Sequence, residues 1–320
     1  MKRTFSGNFK VHIEGMIEEK QALGFLYQDN QTILAAFDRF CIENYPNETV
    51  LTRDIGMHWA ELRPSEQSAT LSNRIIPVRQ LGKYMQRIGI QAFVIPDGLT
   101  GRRNRYVPHF FTREELSLFF KAADRLIYSH NSPACHLVVP VMFRLIYTCG
   151  LRPIEARRLM ISDVDLETGT MNIRESKGHK DRIIVVSKDM LALCIIYRRK
   201  MVAIFPDSDY FFPNRQGTMY SSRSLDKTFK QCRNSAGIHP NNSPSPRVYD
   251  LRHTQATNCL YKWMQDGRDL NAWLPYLSAH LGHSKLSYTA YYIHLVPEFF
   301  PQMADMDLSK FADLIPEVSS

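Results

Sequence analysis

The hydrophobic pattern of the chain changes period as it runs. Over residues 1–95 the apolar positions recur at helical spacing: "QTILAAFDRFCIENY" places Ile33, Phe37 and Phe40 on one face, and "SATLSNRIIPVRQLGKYMQRIG" continues a second helix from a Ser/Thr-rich start. A small helical bundle is expected there. In "IPDGLTGRRNRYVPHF", Pro96, Gly98, Gly101 and Pro108 interrupt the period, so residues 96–111 read as an interdomain linker. "FTREELSLFFKAADRLI" then opens a second domain, 112–320, with Thr112 as N-cap and Glu115 three residues on, the pattern of a capping box. The long apolar helix "HLVVPVMFRLIYTCG" stops at Gly150. From residue 170 the period falls to two, and "TMNIRESKGHKDRIIVV" predicts two strands joined by a turn at Lys177, Gly178 and His179. A Pro/Asn/Ser-rich loop follows at 237–247, and helical spacing continues to a short tail whose Leu308, Phe311, Leu314 and Ile315 share one face. The expected fold is mainly α with a small antiparallel β-sheet: a helical N-terminal bundle and an α+β second domain. No internal repeat is visible.

Composition narrows the classes. With 44% hydrophobic residues, 320 positions suffice for a substantial core in two domains or one large one. Forty Lys and Arg against 32 Asp and Glu give a net charge of +8, which suits a polyanionic partner. Arg102, Arg103 and Arg105 concentrate part of that charge in the linker, where they serve either as a solvated loop or as phosphate contacts. The six cysteines are scattered without a C-x-x-C pair, which argues against a zinc knuckle or a disulfide framework and fits a reducing cytosol. No apolar run has the length of a membrane span, and the N-terminus lacks a signal-peptide core. A cytoplasmic, nucleoid-associated location without membrane attachment is expected.

Candidate chemistry gathers at four places. "LGHSKLSYTAYYIHL" (281–295) holds three tyrosines in five positions. Tyr288, Tyr291, Tyr292 and Leu295 have the spacing of a buried stripe, so a nucleophile here needs cations and a proton donor from elsewhere. In "YTCGLRPIEARRL", Arg152 sits at a helix start, as a phosphate clamp or as an ion-pair partner of Glu155. Lys177, at the hairpin tip, is either solvated or able to protonate a leaving oxygen. In "RVYDLRHTQAT", Arg252 reads as a further anion ligand or as a buried pair with an acid such as Asp250, and His253 as a structural histidine. His283, after Gly282, can donate to a phosphate oxygen; His280, His283 and His294 lack the spacing of a zinc site.

In that order, "TCGLRPIEARRL", "SKGHKDR", "YDLRHTQAT" and "LGHSKLSYTAYYIHL" resemble the signature of the tyrosine recombinase (phage integrase) family: Arg, Lys, His-x-x-Arg, Gly-His and Tyr. The resemblance is close from about residue 110 to 300, and the N-terminal bundle is similar to the family's core-binding domain in size. It implies a catalytic domain in which Arg152 and Arg252 clamp phosphate, Lys177 is the general acid, His283 is a ligand and Tyr292, nine residues after His283, is the nucleophile. Tyr249 departs from the pattern, standing where the family has histidine. Its hydroxyl can donate to phosphate, but with an ordinary pKa of about 10 it is a poor base, so it is kept as a ligand and the base is left unassigned.

The implied reaction is strand cutting and rejoining through a 3′-phosphotyrosine, with no cofactor and no metal. The implied partners are double-stranded DNA with inverted-repeat core sites and further copies of the chain, two per site and four per synapse, with the tail either docking on a neighbour or packing on its own domain. The alternatives are a DNA-binding architectural protein of the same fold and a topoisomerase-like relaxing enzyme. If the linker arginines lie on DNA, affinity falls steeply with salt, because each phosphate contact releases counterions. A binding titration across a salt series checks this, and a flat response would remove the contacts.

Overall fold

The structure is a computed structural model that describes residues 4–99, 106, 108–174, 181–238 and 245–299, the last six by backbone alone. The linker arginines Arg102, Arg103 and Arg105, the hairpin tip with Lys177, and the tail after 299 lie outside the described residues. The chain divides into two compact units, Met1–Arg105 and Tyr106–Ser320.

The first unit consists of α1 (Lys10–Ala22), α2 (Gln28–Asn44), α3 (Arg53–Trp59) and α4 (Ser68–Arg87). Phe9, Ile13, Leu34, Phe37, Trp59 and Val78 are fully or almost fully buried between them, with Ile33 and Phe40 packed at the margin. Trp59 meets Phe37 edge-on at 5.2 Å and donates its indole N–H to the Arg74 carbonyl at 3.1 Å, so the largest core side chain has its polar atom satisfied. At the linker's start, Arg79 donates to the carbonyls of Ile95 and Pro96, which binds that stretch to α4.

The second unit is organised around α6 (Cys135–Thr148). Val138, Val139, Val141, Met142, Phe143, Leu145 and Ile146 are buried, so the helix is apolar almost all round and must be enclosed. α5 (Arg113–Asp124), α8 (Lys188–Ile204) and α10 (Val248–Gln265) pack on it, and α9 (Ser222–Ser235) packs on α5. The capping box at the start of α5 is made: the Glu115 amide donates to Thr112 Oγ1 at 3.1 Å, and the Thr112 amide to the Glu115 carboxylate at 2.9 Å. Just before it, the Phe111 amide donates to Thr254 Oγ1 at 3.1 Å, tying this entry segment to α10.

A three-stranded antiparallel sheet follows the short α7 (Pro153–Arg158): β1 (Val164–Asp165), β2 (Thr170–Ile173) and β3 (Arg182–Val185), in that order. β2 and β3 are the two strands the alternation predicts, and the register ends with Ile173 opposite Arg182. Met171, Ile173 and Ile184 point into the core while Ile183 and Val185 face outward. α11 (Leu270–Leu281) and α12 (Ser287–Phe299) close the unit against α10. Among the described residues no helix is long and apolar enough to cross a membrane.

Two glycines fix the turns that matter. Gly150 ends the α6 segment at φ +60°, where a Cβ would stand 2.8 Å from both Gln255 Oε1 and Leu281 Cδ2. Gly282 ends α11 at φ +64°, and its Cβ would stand 2.8 Å from Arg182 Nη1. Thr112→Ala removes the cap of α5 and is expected to cost about 1 kcal/mol. Urea unfolding of the intact chain should show it as a lower midpoint at unchanged slope.

Candidate active site

The ends of α6 and α11 leave carbonyl oxygens without helical partners, and helix C-termini carry partial negative charge. Arginines fill both. Arg252, completely buried on α10, donates Nη1 to the Gly150 carbonyl and Nη2 to the Leu281 carbonyl, each at 2.6 Å. Arg152, at the N-cap of α7, donates Nη2 to the Gly282 carbonyl at 2.5 Å. Arg182, the first residue of β3, donates Nε to the His280 carbonyl at 2.7 Å.

One carboxylate joins these cations. Glu155, buried in the first turn of α7, accepts from Arg152 Nη1 at 2.6 Å and from the Arg152 amide at 2.9 Å. Its oxygens also take Arg182 as a fork, at 3.0 and 2.8 Å, and Arg252 Nη1 lies 4.0 Å away. Burial alone would raise the Glu155 pKa, but the hydrogen bonds and charge of Arg182, followed by Arg152, hold it below the ordinary carboxylate value. The Arg152–Glu155 pair expected as one alternative is therefore formed, yet the carboxylate is shared. Three guanidinium groups against one carboxylate leave two positive charges in surplus. Asp250, the other expected partner of Arg252, instead accepts from the Tyr106 hydroxyl at 2.6 Å and the Arg247 amide at 2.9 Å.

Tyr292 and two imidazoles lie beside this cluster. His283 Nε2 stands 3.0 Å from Arg252 Nη2, and Nδ1 stands 2.7 Å from Thr289 Oγ1. Arginine can only donate, so Nε2 accepts and the ring proton sits on Nδ1, toward Thr289. Burial, with Arg252 and Arg152, pushes the His283 pKa down to about 3, so the ring is neutral at neutral pH. In this arrangement both nitrogens are engaged within the protein.

The Tyr292 side chain is buried, its ring stacked on His283 with centroids 6.3 Å apart, and its hydroxyl lies 2.7 Å from His253 Nδ1. Burial raises its pKa above the ordinary phenol value, against the pull of Arg252 and Arg152. Tyr249, one turn before His253, meets that imidazole in a tilted contact, with centroids 4.9 Å apart and planes at 51°, and lies under the Arg252 guanidinium at 5.9 Å. The expected tyrosine stripe is corrected. Tyr288 is 51% exposed and meets His283 edge-on at 6.2 Å, because the buried face of α12 runs through Thr289, Ala290, Tyr292 and Ile293. Tyr291 is half-buried, packed at the margin of the α10–α12 core.

The structure thus brings Arg152, Arg252, Tyr249, His283 and Tyr292 together from four segments. Lys177 falls outside the described residues; β2 ends at Ile173 and β3 begins at Arg182, which is inside the cluster. Sequence reasoning missed Arg182 and His253, and saw Glu155 only as a local partner of Arg152. Arg182 closes the quoted "SKGHKDR" and His253 directly follows Arg252, so both were in view without a contact to define them.

Comparison with known proteins identifies the family and the fold. Residues 109–298 match the profile of the phage integrase family. The chain is 26% identical over 273 residues to the tyrosine recombinase XerC of Lactobacillus delbrueckii subsp. bulgaricus, covering 83% of this chain and 86% of that protein. It is 27% identical over 302 residues to y4rB of Sinorhizobium fredii, provisionally named an integrase/recombinase, covering 92% and 95%. Among solved structures, the XerH site-specific recombinase bound to a palindromic difH substrate superposes with a TM-score of 0.62 at 20% identity, over 87% of this chain and 78% of that one. A lambda integrase dimer bound to a core site gives 0.58 at 14% identity, over 87% and 94%. The two superpositions speak to the fold.

Glu155→Gln leaves buried guanidinium groups without their carboxylate and is expected to cost about 3–5 kcal/mol. Because the folded-state pKa of Glu155 is depressed, its contribution is complete above the ordinary value of 4.5 and is lost as pH falls below that, through the folded pKa. Denaturation of both proteins from neutral to acid pH should show the stability gap narrowing across that window. A gap that does not change with pH would contradict the assignment.

Proposed function

Because the chain belongs to the phage integrase family and is a site-specific DNA recombinase, we propose that Tyr292 is its nucleophile and that Arg152 and Arg252 hold the phosphate it attacks. The carrying observation is the surplus of guanidinium charge around the single Glu155 carboxylate, next to the buried Tyr292 hydroxyl. Charge of that kind, fixed in place before substrate arrives, favours a phosphate and favours still more the extra negative charge of a pentacovalent phosphorane.

In the proposed step the tyrosine oxygen bonds to phosphorus, the bond from phosphorus to the 5′ oxygen breaks, and a 3′-phosphotyrosine and a free 5′-hydroxyl result. Lys177 protonates the departing oxygen, a role taken from its place in the family pattern. The energy of the phosphodiester is kept in the phosphotyrosine, so a 5′-hydroxyl from a partner strand reverses the step without a nucleotide cofactor or a metal. Tyr249 contributes as a phosphate ligand.

The substrate is double-stranded DNA with inverted-repeat core sites. The likeness to XerH and lambda integrase, each bound to a DNA site in its own structure, supports this reading. Inverted half-sites call for two protomers per site, and exchange between two duplexes for four. Residues 1–95 serve as the core-binding domain and the linker arginines lie on the backbone.

A nicked duplex that cannot religate traps the intermediate. On a denaturing gel, wild type and Tyr291→Phe are expected to give a covalent protein–DNA adduct and Tyr292→Phe none. Arg152→Ala should slow adduct formation by about 10²–10³-fold. An adduct that survives Tyr292→Phe would assign the nucleophile elsewhere. Absence of any adduct on DNA that the protein binds would favour a binding-only role.

A further inference from the structure

The nucleophile's proton has no assigned acceptor in the reading above, because Tyr249 stands where a histidine would serve. We propose that His253 is the general base: its Nδ1 takes the Tyr292 proton during attack and returns it when the phosphotyrosine is broken. This inference rests on Tyr292 being the nucleophile.

Geometry singles out this residue. His253 Nδ1 lies 2.7 Å from the Tyr292 hydroxyl, within direct proton-transfer distance. The other bases nearby are engaged elsewhere. His283 has one nitrogen on Arg252 and the other on Thr289. Glu155 is taken by Arg152 and Arg182, and Asp250 accepts from the Tyr106 hydroxyl and the Arg247 amide through Oδ2, its buried Oδ1 having no hydrogen-bond partner. His253 is also held in place, with its ring between Tyr249 at 4.9 Å and Tyr292 at 5.6 Å. It directly follows Arg252, whose guanidinium is anchored on two helix ends, so the backbone that carries the imidazole is fixed by the same contacts that fix the cation.

The charged and titratable groups facing His253 are Arg247 at the N-cap of α10, Tyr249 and Arg252 from α10, Tyr292 from α12, and His283 from the turn before it. Burial, followed by Arg252 and Arg247, pushes the His253 pKa down to about 3, which keeps Nδ1 unprotonated at neutral pH. A base that weak leaves Tyr292 protonated in the free protein. A bound phosphate offsets the positive charge that depresses His253, so the base gains strength when there is a phosphorus to attack. Atoms balance: the Oη–P bond forms as the Oη proton moves to Nδ1, the bond from phosphorus to the 5′ oxygen breaks, and that oxygen takes a proton from Lys177. Rejoining runs the same transfers backward.

His253→Asn keeps an oxygen able to accept the tyrosine's hydrogen bond but cannot take the proton. Single-turnover adduct formation on the nicked duplex is expected to be about 10²-fold or more slower in this variant at neutral pH. Its rate should climb toward alkaline pH as hydroxide replaces the imidazole, while DNA binding on a native gel stays at the wild-type level. A rate within a few-fold of wild type at all pH values would reduce His253 to a packing role, and a faster rate would make the bond a restraint on the resting tyrosine; either overturns the proposal. If the asparagine variant does not bind DNA, wild type is measured on a duplex with a sulfur leaving atom at the 5′ bridge, which needs no acid. There cleavage should be slower in deuterium oxide, and equal rates would overturn the base. An adduct retained in Tyr292→Phe would instead refute the underlying nucleophile assignment.

Discussion

The second unit depends on a single buried carboxylate. Three guanidinium groups removed from water are costly unless they are paired and hydrogen-bonded. Glu155 pairs closely with two of them and lies 4.0 Å from the third, and the ends of α6 and α11 supply carbonyls for what the carboxylate cannot reach. Each arginine comes from a different element: the α6–α7 turn, β3 and α10. Helix ends that would otherwise be unsatisfied, strand register and the central helix are thereby joined at one point. The two glycines matter for the same reason, since a side chain at either would occupy space the helix ends and arginines need.

That knot also sets the chemistry. It holds more positive charge than it neutralises, in a buried environment where such charge acts strongly. Beside it the tyrosine hydroxyl is buried and protonated, and both neighbouring imidazoles are held neutral by burial and by the same arginines. The free site therefore holds surplus positive charge beside a protonated phenol. In the proposed reaction a bound phosphate changes both conditions together, by filling the surplus charge and by relieving the imidazole that touches the hydroxyl.

Much of the fold was legible in the chain. The capping box at Thr112, the stop at Gly150, the paired strands and the helical first unit all follow from local chemistry that the structure reproduces. The stripe in α12 was not, because aromatic residues occupy both faces of that helix and helical spacing alone cannot set which face is buried. Tyr288 and Tyr292 are one turn apart by spacing; one is half in water and the other is inside. Arg182 and His253 escaped for a different reason. Nothing in a residue type reveals the atom it will touch.

The sequence by itself determined the order of the candidate site residues, their places at helix starts, strand ends and the Gly-His turn, and the excess of positive charge. These are local properties, carried by neighbours along the chain. Tertiary structure decided the partners: Arg152 on the Gly282 carbonyl 130 positions away, Arg252 on Gly150 102 positions away, and His253 on Tyr292 39 positions away. It decided the protonation states as well. Burial and the distance between charges fix a pKa, and both come from contacts that form only when distant segments pack.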